Sequence, residues 1–362
     1  MMAAPDWAAS GRTDTFSAVL VDPFDLTEVA DVAIDPASTS VEWDCDGDVV
    51  AAASIKLLDG QDYRIGGKSY MVRLKDAIAL PDGTSYALTL GTFFCMYSRG
   101  TSLNGRNDRT LSGYSCLWRQ SQDLLMNDFY RPAGGNVVQA VRDLIEADGG
   151  MLTVAAGVDV GRAFGNAIWF DAGTNKLDAV KTIAGWIGCE LVPDPDGRAL
   201  IRPYREPLQT APSYTFEAGE TCVYRAGMSW SSNRSDLCNR VVYVYSSGDE
   251  TERAVADLPP NHMMSYENVG YHRTVRVEVS ERPSAGVESA AWTELYASSV
   301  EETPIVIDAL LVPGLGVGDV VRYVNPTDWE RPLDVAAQVS QVSVKALVPG
   351  LMAEYKLKIV RW

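Results

Sequence analysis

The sequence predicts a mainly β chain with α+β insertions, in which two β-barrel regions flank a helical segment. Three observations predict this class. Residues 15–115 and 213–362 hold short runs rich in Val, Ile, Tyr and Phe, the types that fit a pleated, half-buried surface. Turn chemistry punctuates the first of these regions at Asp59-Gly60, Gly66-Gly67 and Pro81-Asp82-Gly83. Between the two regions the apolar residues change to helical spacing. A chain of 362 residues has room for two to four domains, at roughly 100–200 residues each. The boundaries read as a first β-barrel over 1–115, an α/β insertion over 116–206, and a second β-barrel over 207–362 with a helix-containing insertion near 247–303. No internal repeat of fixed short period stands out. A coarse one does, β then helical insertion, twice over, which suggests two related barrels.

The first region contains candidate strands at 16–21, 41–43, 50–57, 63–74, 77–80 and 86–97. Several short strands at this spacing suggest a barrel or a sandwich. Residues 98–110 are polar and rich in Gly and Asn, and read as a long loop. In the insertion, Leu117, Leu124 and Leu125 suggest a helix from which Asp123 and Asp128 face outward. A second helix covers 136–147, where Val137, Val138, Val141, Leu144 and Ile145 form a stripe that Gly149-Gly150 stops. A short strand is expected at 167–170.

A third helix has Leu177, Val180, Ala184 and Ile187 on one face. Asn175 suits its N-cap and Gly188 its left-handed end. A hairpin follows, with strands at 190–192 and 199–202 around the turn Pro193-Asp194-Pro195-Asp196-Gly197. That turn carries no ligand set, so the unit reads as scaffold. The last region offers strands at 214–216, 223–230, 240–245, 274–279, 305–311, 320–323, 335–347 and 353–359. One helix interrupts them, with Ser284 as a candidate cap and Val287, Ala291, Leu295, Trp292, Tyr296 and Val300 on its apolar side.

The charge balance is acidic, with 48 Asp and Glu against 31 Lys and Arg and a net charge of −17. A groove that grips nucleic acid neutralises phosphates with Lys and Arg, so this balance argues against one. It serves solubility, or a wall past which DNA slides without sticking. No apolar run reaches the roughly 18 residues of a membrane span. The N-terminus lacks the basic and apolar stretches of a secretory signal. Six cysteines at 45, 95, 116, 189, 222 and 238 form no Cys-x-x-Cys pair, so they read as reduced thiols rather than zinc ligands.

Several patterns imitate active chemistry and fail on spacing. His262 and His272 are the two imidazoles, and neither accompanies a nucleophile-elbow motif. Asp44-Cys45-Asp46-Gly47-Asp48 invites a calcium reading. Its twelfth position is Ile55, where a bidentate Glu is required, and its Gly comes two positions early. It reads as an acidic turn, as does Asp194-Pro195-Asp196-Gly197. Gly314-Leu315-Gly316-Val317-Gly318 is followed by a strand pattern rather than a helix, so it is a turn and not a phosphate cradle. Trp43, Trp118, Trp230 and Trp329 are candidate sugar-stacking aromatics, more readily placed half-buried on barrel faces. No catalytic, cofactor or metal residue is assigned, and no enzyme activity is expected.

The order of several motifs resembles the central baseplate hub and tail-tip hub proteins of tailed bacteriophages and related contractile injection machines. The helix and hairpin ending in Pro203-Tyr204 resemble that family's small α/β domain. Residues 86–94, Tyr-Ala-Leu-Thr-Leu-Gly-Thr-Phe-Phe, are similar to a strand of its first tube-like domain. Residues 235–245, Ser-Asp-Leu-Cys-Asn-Arg-Val-Val-Tyr-Val-Tyr, are similar to the strand opening its second. Residues 315–323 and 335–352 resemble its closing strands. The resemblance implies two tube-like β-barrels whose three copies form a homotrimeric ring in the virion. That ring would join a sixfold tail tube to a threefold tip around the DNA channel. It implies as partners the distal tail or tail tube ring, the tape measure protein and tip or fibre proteins, with synthesis in the host cytoplasm. Many such hubs continue into a peptidoglycan-cleaving or fibre-like module, which is not expected here. The runner-up reading is a carbohydrate-binding host-attachment module, and a tail-associated hydrolase is the third.

Overall fold

The computed structural model describes all residues except 1–6, 8–10, 59, 104–105, 206, 208–209, 218–222, 226–228, 231–236, 248–249, 261, 263, 280–282, 284–285, 300–303, 326–332 and 362. The chain is mainly β with smaller α/β elements, the class read from its sequence. It forms two compact units, one of residues 1–228 and 306–362, the other of 229–305.

The first unit opens with β1 (Thr13–Val21), β2 (Glu28–Val32), β3 (Ser40–Asp44), β4 (Ala51–Leu57), the short pair β5 (Arg64–Ile65) and β6 (Lys68–Ser69), β7 (Met71–Ala79), β8 (Ser85–Leu103) and β9 (Arg106–Tyr114). Strand alternation sets the faces: along β4 every second residue is buried, as a period of two demands. The register of β8 slips opposite Leu74 and Lys75. Gly91 sits there with φ +156°, and a Cβ on it would lie 2.4 Å from the Phe93 ring. Only glycine lets that fully buried ring fold back over its own strand.

Residues 98–110 are not a loop. β8 and β9 continue as a ladder through Ser98↔Leu111 to Leu103↔Arg106, while β4 pairs β9 only as far as Leu57↔Arg109. The tip of this hairpin therefore extends past its neighbours. Polar residues build it because backbone pairing needs no apolar side chains.

The α/β insertion contains α1 (Trp118–Ser121), β10 (Phe129–Arg131), α2 (Val137–Glu146), β11 (Leu152–Val154), β12 (Ile168–Phe170), α3 (Lys176–Trp186), β13 (Cys189–Pro193) and β14 (Ala199–Pro203). Leu124 and Leu125 are not helical: α1 is one turn, and Leu124 bridges Asn175 in extended backbone. Both longer helices start as their caps dictate. Asn136 accepts from the Gln139 amide at 2.8 Å, and Asn175 from the Leu177 amide at 2.9 Å. Gly188 takes φ +66° just past the end of α3. The stripes of α2 and α3 pack on each other and on Leu191, Ala199 and Ile201 in one core.

This insertion holds a repeat that the sequence reading did not find. Shifting residues 121–152 forward by 39 positions superimposes Asn136 on Asn175, Gly134 on Gly173 and Gly149 on Gly188. The hydrogen bonds obey the same shift reciprocally. The Leu125 amide donates to the Thr174 carbonyl at 2.8 Å, and the Phe164 amide to the Gly135 carbonyl at 2.8 Å. The Asn175 amide group donates to the Ser121 carbonyl at 2.8 Å, and that of Asn136 to the Val160 carbonyl at 2.7 Å. β10 and β12 pair antiparallel with Tyr130 opposite Trp169, so the two copies meet about a local pseudo-twofold axis at that pair.

β15 (Tyr214–Glu217) returns to the main sheet. The second unit then contains β16 (Ser229–Trp230), β17 (Arg240–Ser247), β18 (Glu250–Asp257), α4 (Tyr266–Val269), β19 (Thr274–Val279) and α5 (Val287–Ser299). Its sheet has the order β18-β17-β19. The run at 240–245, read as a strand of the second barrel, and that at 274–279, within its insertion, thus form a sheet of their own with β18. Val287, Ala291 and Leu295 of α5 are buried as the helical stripe requires. Ser284 and the side chains of Tyr296 and Val300 lie outside the described residues. Asn239 staples this unit: it donates to the carbonyls of Met264 at 3.1 Å and Tyr271 at 2.8 Å and accepts from the Arg273 amide at 2.8 Å.

The chain closes with β20 (Pro304–Leu310), β21 (Val320–Asn325), β22 (Leu333–Val344) and β23 (Met352–Arg361). β22 joins early and late strands. Its first half pairs β21, and after an irregularity beside Ser340 its second half pairs β3. The main sheet runs β20-β23-β22-β3-β4-β9-β8-β7-β1-β2. Its largest buried side chains include Tyr323, Tyr355, Phe93 and Phe216.

Candidate assembly site

Two arginines fasten the insertion to the β1–β9 strands. Arg73 is buried on β7 and uses three donors. Nε donates to Thr92 Oγ1 at 3.0 Å, Nη1 to Glu28 Oε1 at 2.9 Å and Nη2 to the Asp196 carbonyl at 2.8 Å. Thr92 Oγ1 donates in turn to the Pro195 carbonyl at 2.8 Å. The hairpin turn read as bare scaffold is therefore a docking element. Arg119, on α1, donates to the Asp148 carbonyl at 3.0 Å and the Pro23 carbonyl at 2.7 Å. Its guanidinium lies over the rings of Phe94 and Phe24, at 5.0 and 5.6 Å, as cation–π contacts favour.

Beside the docked turn opens a cleft of about 450 Å³. Leu88, Leu90, Leu311 and Leu315 supply apolar lining. Arg202, held by Glu190 at 2.8 Å, and Arg205, 3.7 Å from Asp319, supply charge.

A second polar group lies inside the main sheet. Asp14 is buried and accepts from Arg12 Nε at 3.0 Å, Arg12 Nη2 at 2.8 Å and the Gly350 amide at 2.6 Å. Asp76 is 1% exposed, and neither of its carboxylate oxygens has a hydrogen-bond partner. Burial, with the Asp14 charge adding to it and Arg12 opposing, pushes the Asp76 carboxyl up to about 7. The folded carboxyl thus keeps its proton below about pH 7 and shares it about equally at that pH, beside an ion pair.

The residues singled out from sequence fall elsewhere. Asp44 and Asp46 form a turn in which the Asp46 amide donates to the Asp44 side-chain Oδ1 at 2.9 Å. The Lys358 ammonium reaches Asp46 Oδ2 at 3.0 Å, putting a positive charge where a cation would sit. Burial first and then the Asp46 charge push the Cys45 thiol up to about 11, which opposes the thiolate that a metal needs. Asp194 and Asp196 belong to the docked turn. Residues 314–318 lead into β21, and the Gly316 amide donates to Asp319 Oδ2 at 2.9 Å.

His262 Nδ1 accepts from the Met264 amide at 3.2 Å. His272 stacks on Tyr266 with ring centroids 4.4 Å apart. Trp43 lines the cleft, and Trp118 packs near Phe94 and Tyr114. The Trp230 side chain, Trp329 and Cys222 lie outside the described residues.

Sequence reasoning missed Arg73, Asp14, Asp76 and the pair Tyr130 and Trp169. Strand alternation held a signal for one of them: Leu74, Asp76 and Ile78 share an inward face of β7. Tyr130 and Trp169 project to solvent from β10 and β12, 50% and 57% exposed. Their ring centroids are 6.0 Å apart at 61°.

The fold can be set beside known structures. It matches the tail protein from Neisseria meningitidis MC58 with a TM-score of 0.63 and 14% identity, over 95% of this chain and 96% of that one. The 43 kDa tail protein of prophage MuSo2 from Shewanella oneidensis matches at 0.60 and 11%, over 96% and 98%. The prophage tail protein gp18 from Listeria monocytogenes EGD-e matches at 0.57 and 10%, over 94% and 94%. The chain has the fold of phage tail proteins. No family model and no curated protein sequence matches it. No helix among the described residues is long and apolar enough to cross a membrane.

Proposed function

We propose that this chain is a structural component of a phage-type tail, a hub protomer that assembles as a homotrimeric ring around a DNA channel. The observation that carries the reading is the extent of the likeness. The tail-protein fold accounts for 95% of this chain and 96% of the Neisseria tail protein, so both chains match as whole objects and not through one shared domain.

The geometry supplies surfaces suited to such assembly. β2 lies at the end of the main strand order, with Glu28, Val29, Ala30 and Asp31 exposed. An edge strand offers unpaired backbone groups to a neighbouring copy. The β8–β9 tip extends past its sheet neighbours and offers a second contact. The two barrels of three copies would present six similar units to a tail tube and three to a tip. In this reading the excess of 48 acidic over 31 basic residues is concentrated partly on the inner face. Within a Debye length of about 8 Å it repels DNA phosphates. The tube ring, tape measure protein and tip or fibre proteins would be the neighbours, and the chain performs no chemistry of its own.

Mass in solution tests the assembly. A protomer has a mass of 39.3 kDa. Native mass spectrometry of the purified chain is expected to give three times that mass, and a monomer at micromolar concentration would remove the ring.

A further inference from the structure

The two copies of the duplicated unit share more than the fold requires. The buried Leu125 and Phe164, the capping Asn136 and Asn175, and Gly134 and Gly173 each serve packing or turn geometry. At the centre of the outer ribbon the shift also places Tyr130 on Trp169, and just before it Asn127 on Asn166. Neither aromatic is needed by the core. The opposite face of the ribbon, through Phe129, Ile168 and Phe170, packs against the interior. The solvent face thus carries a large ring in both copies, and the pseudo-twofold axis sets the two side by side.

The platform is preorganised. Trp169 Nε1 donates to Asp171 Oδ1 at 2.7 Å, which fixes the indole. Asp128 Oδ1 accepts the Ala172 amide at 2.9 Å, which fixes the loop on the other side. The second oxygen of each carboxylate has no hydrogen bond among the described residues, and both residues are exposed. The rim is hydrogen-bonding: Asn127, Asp128, Asn166 and Asp171 are all exposed.

We propose that this aromatic pair is a binding site for a neutral oligosaccharide. A sugar ring offers an apolar C–H face and a rim of hydroxyl donors and acceptors. Aromatic faces take the first, and carboxylates and amides take the second. Two further observations favour a sugar over other occupants. A stable protein interface buries roughly 800 Å² on each partner around an apolar centre, whereas on this ribbon the two rings are the exposed side chains of β10 and β12. The net charge of −17 and the two acids at the rim disfavour phosphorylated or acidic polymers. The site goes beyond the hub reading and does not depend on it, since the platform lies within one copy of the chain.

The test is calorimetric titration of the purified full-length chain with the hexasaccharides of glucose, mannose and N-acetylglucosamine. At least one is expected to bind in the millimolar range or tighter. Trp169→Ala and Tyr130→Ala are each expected to weaken it tenfold or more with circular dichroism and native mass unchanged, since both side chains are exposed. Three results overturn the proposal: no heat from any of the three sugars, binding that survives both substitutions, or a change of native mass in either variant, which would make the platform a protein interface. The native mass of the unsubstituted chain decides the hub reading separately.

Discussion

Replacing Asp76 by Asn perturbs one buried charge and little else, because the two side chains are nearly isosteric. The folded carboxyl titrates at about 7 against an ordinary 3.8. That difference in proton affinity corresponds to about 4 kcal/mol. The sign follows from linkage. A folded value above the unfolded one means that the folded state holds the proton more tightly. The stabilisation is complete below about pH 4 and is lost as pH rises through 7. Above that, the folded protein must hold an unpaired anion beside Asp14 or take up a proton to avoid it. Asn has no such cost at any pH.

The melting temperature of Asp76→Asn is therefore expected to exceed that of the unsubstituted chain at pH 8. At roughly 2–4 °C per kcal/mol the gap is on the order of 10 °C, and it should narrow by pH 5. Differential scanning calorimetry at pH 5, 6, 7 and 8 measures it. A gap that does not change with pH, or a less stable variant at pH 8, would refute the reasoning.

Two other substitutions probe the insertion. Arg73→Ala removes three hydrogen bonds and leaves Thr92 and the Asp196 carbonyl partly unsatisfied. It is expected to destabilise the first unit by about 2–4 kcal/mol and to raise hydrogen exchange selectively at residues 194–198, read by mass spectrometry; uniform exchange across the chain would show that the turn is not docked by this residue. Asn175→Ala removes the cap of α3 and is expected to cost about 1 kcal/mol in urea unfolding, and a neutral result would mean that the interlocked repeat holds the helix start without it.

The parts of this fold legible in the sequence were those set by local chemistry. The cap at Asn175, the glycine after α3 and the stripe Leu177, Val180, Ala184 are short-range signals, and each marks what it should, whereas Asn136, read as the first residue of its helix, is the cap. The strands of the main sheet were legible as runs, but not their partners. β3 meets β22 some three hundred residues later, and nothing local in Val41 or Val344 specifies that. The polar tip of β8–β9 was misread because composition reports burial better than backbone pairing. Leu124 and Leu125 were misread because an apolar doublet fits a helix as well as an extended bridge. The duplication was hidden because its copies share few identical residues. Val137 in one copy becomes Lys176 in the other, where Asp123 and Asp148 hold it at 2.5 and 2.6 Å.

The docking residues were hidden for a different reason. Arg73 and Asp196 are distant in sequence, and an arginine in a strand pattern is normally an exposed one. Gly91 and Phe93 were quoted from sequence as part of a family-like strand. Their backfolded geometry is the physical reason for glycine at that position in this chain.

The measurement that tests the central claim most directly is an electron-microscopic image of the assembled tail with this chain labelled. The account predicts a threefold ring of label on the tail axis, between tube and tip, with an acidic inner surface once the chain is fitted. Label away from the axis, or a ring with a neutral or Lys- and Arg-rich lumen, would contradict the hub role or its acidic channel respectively.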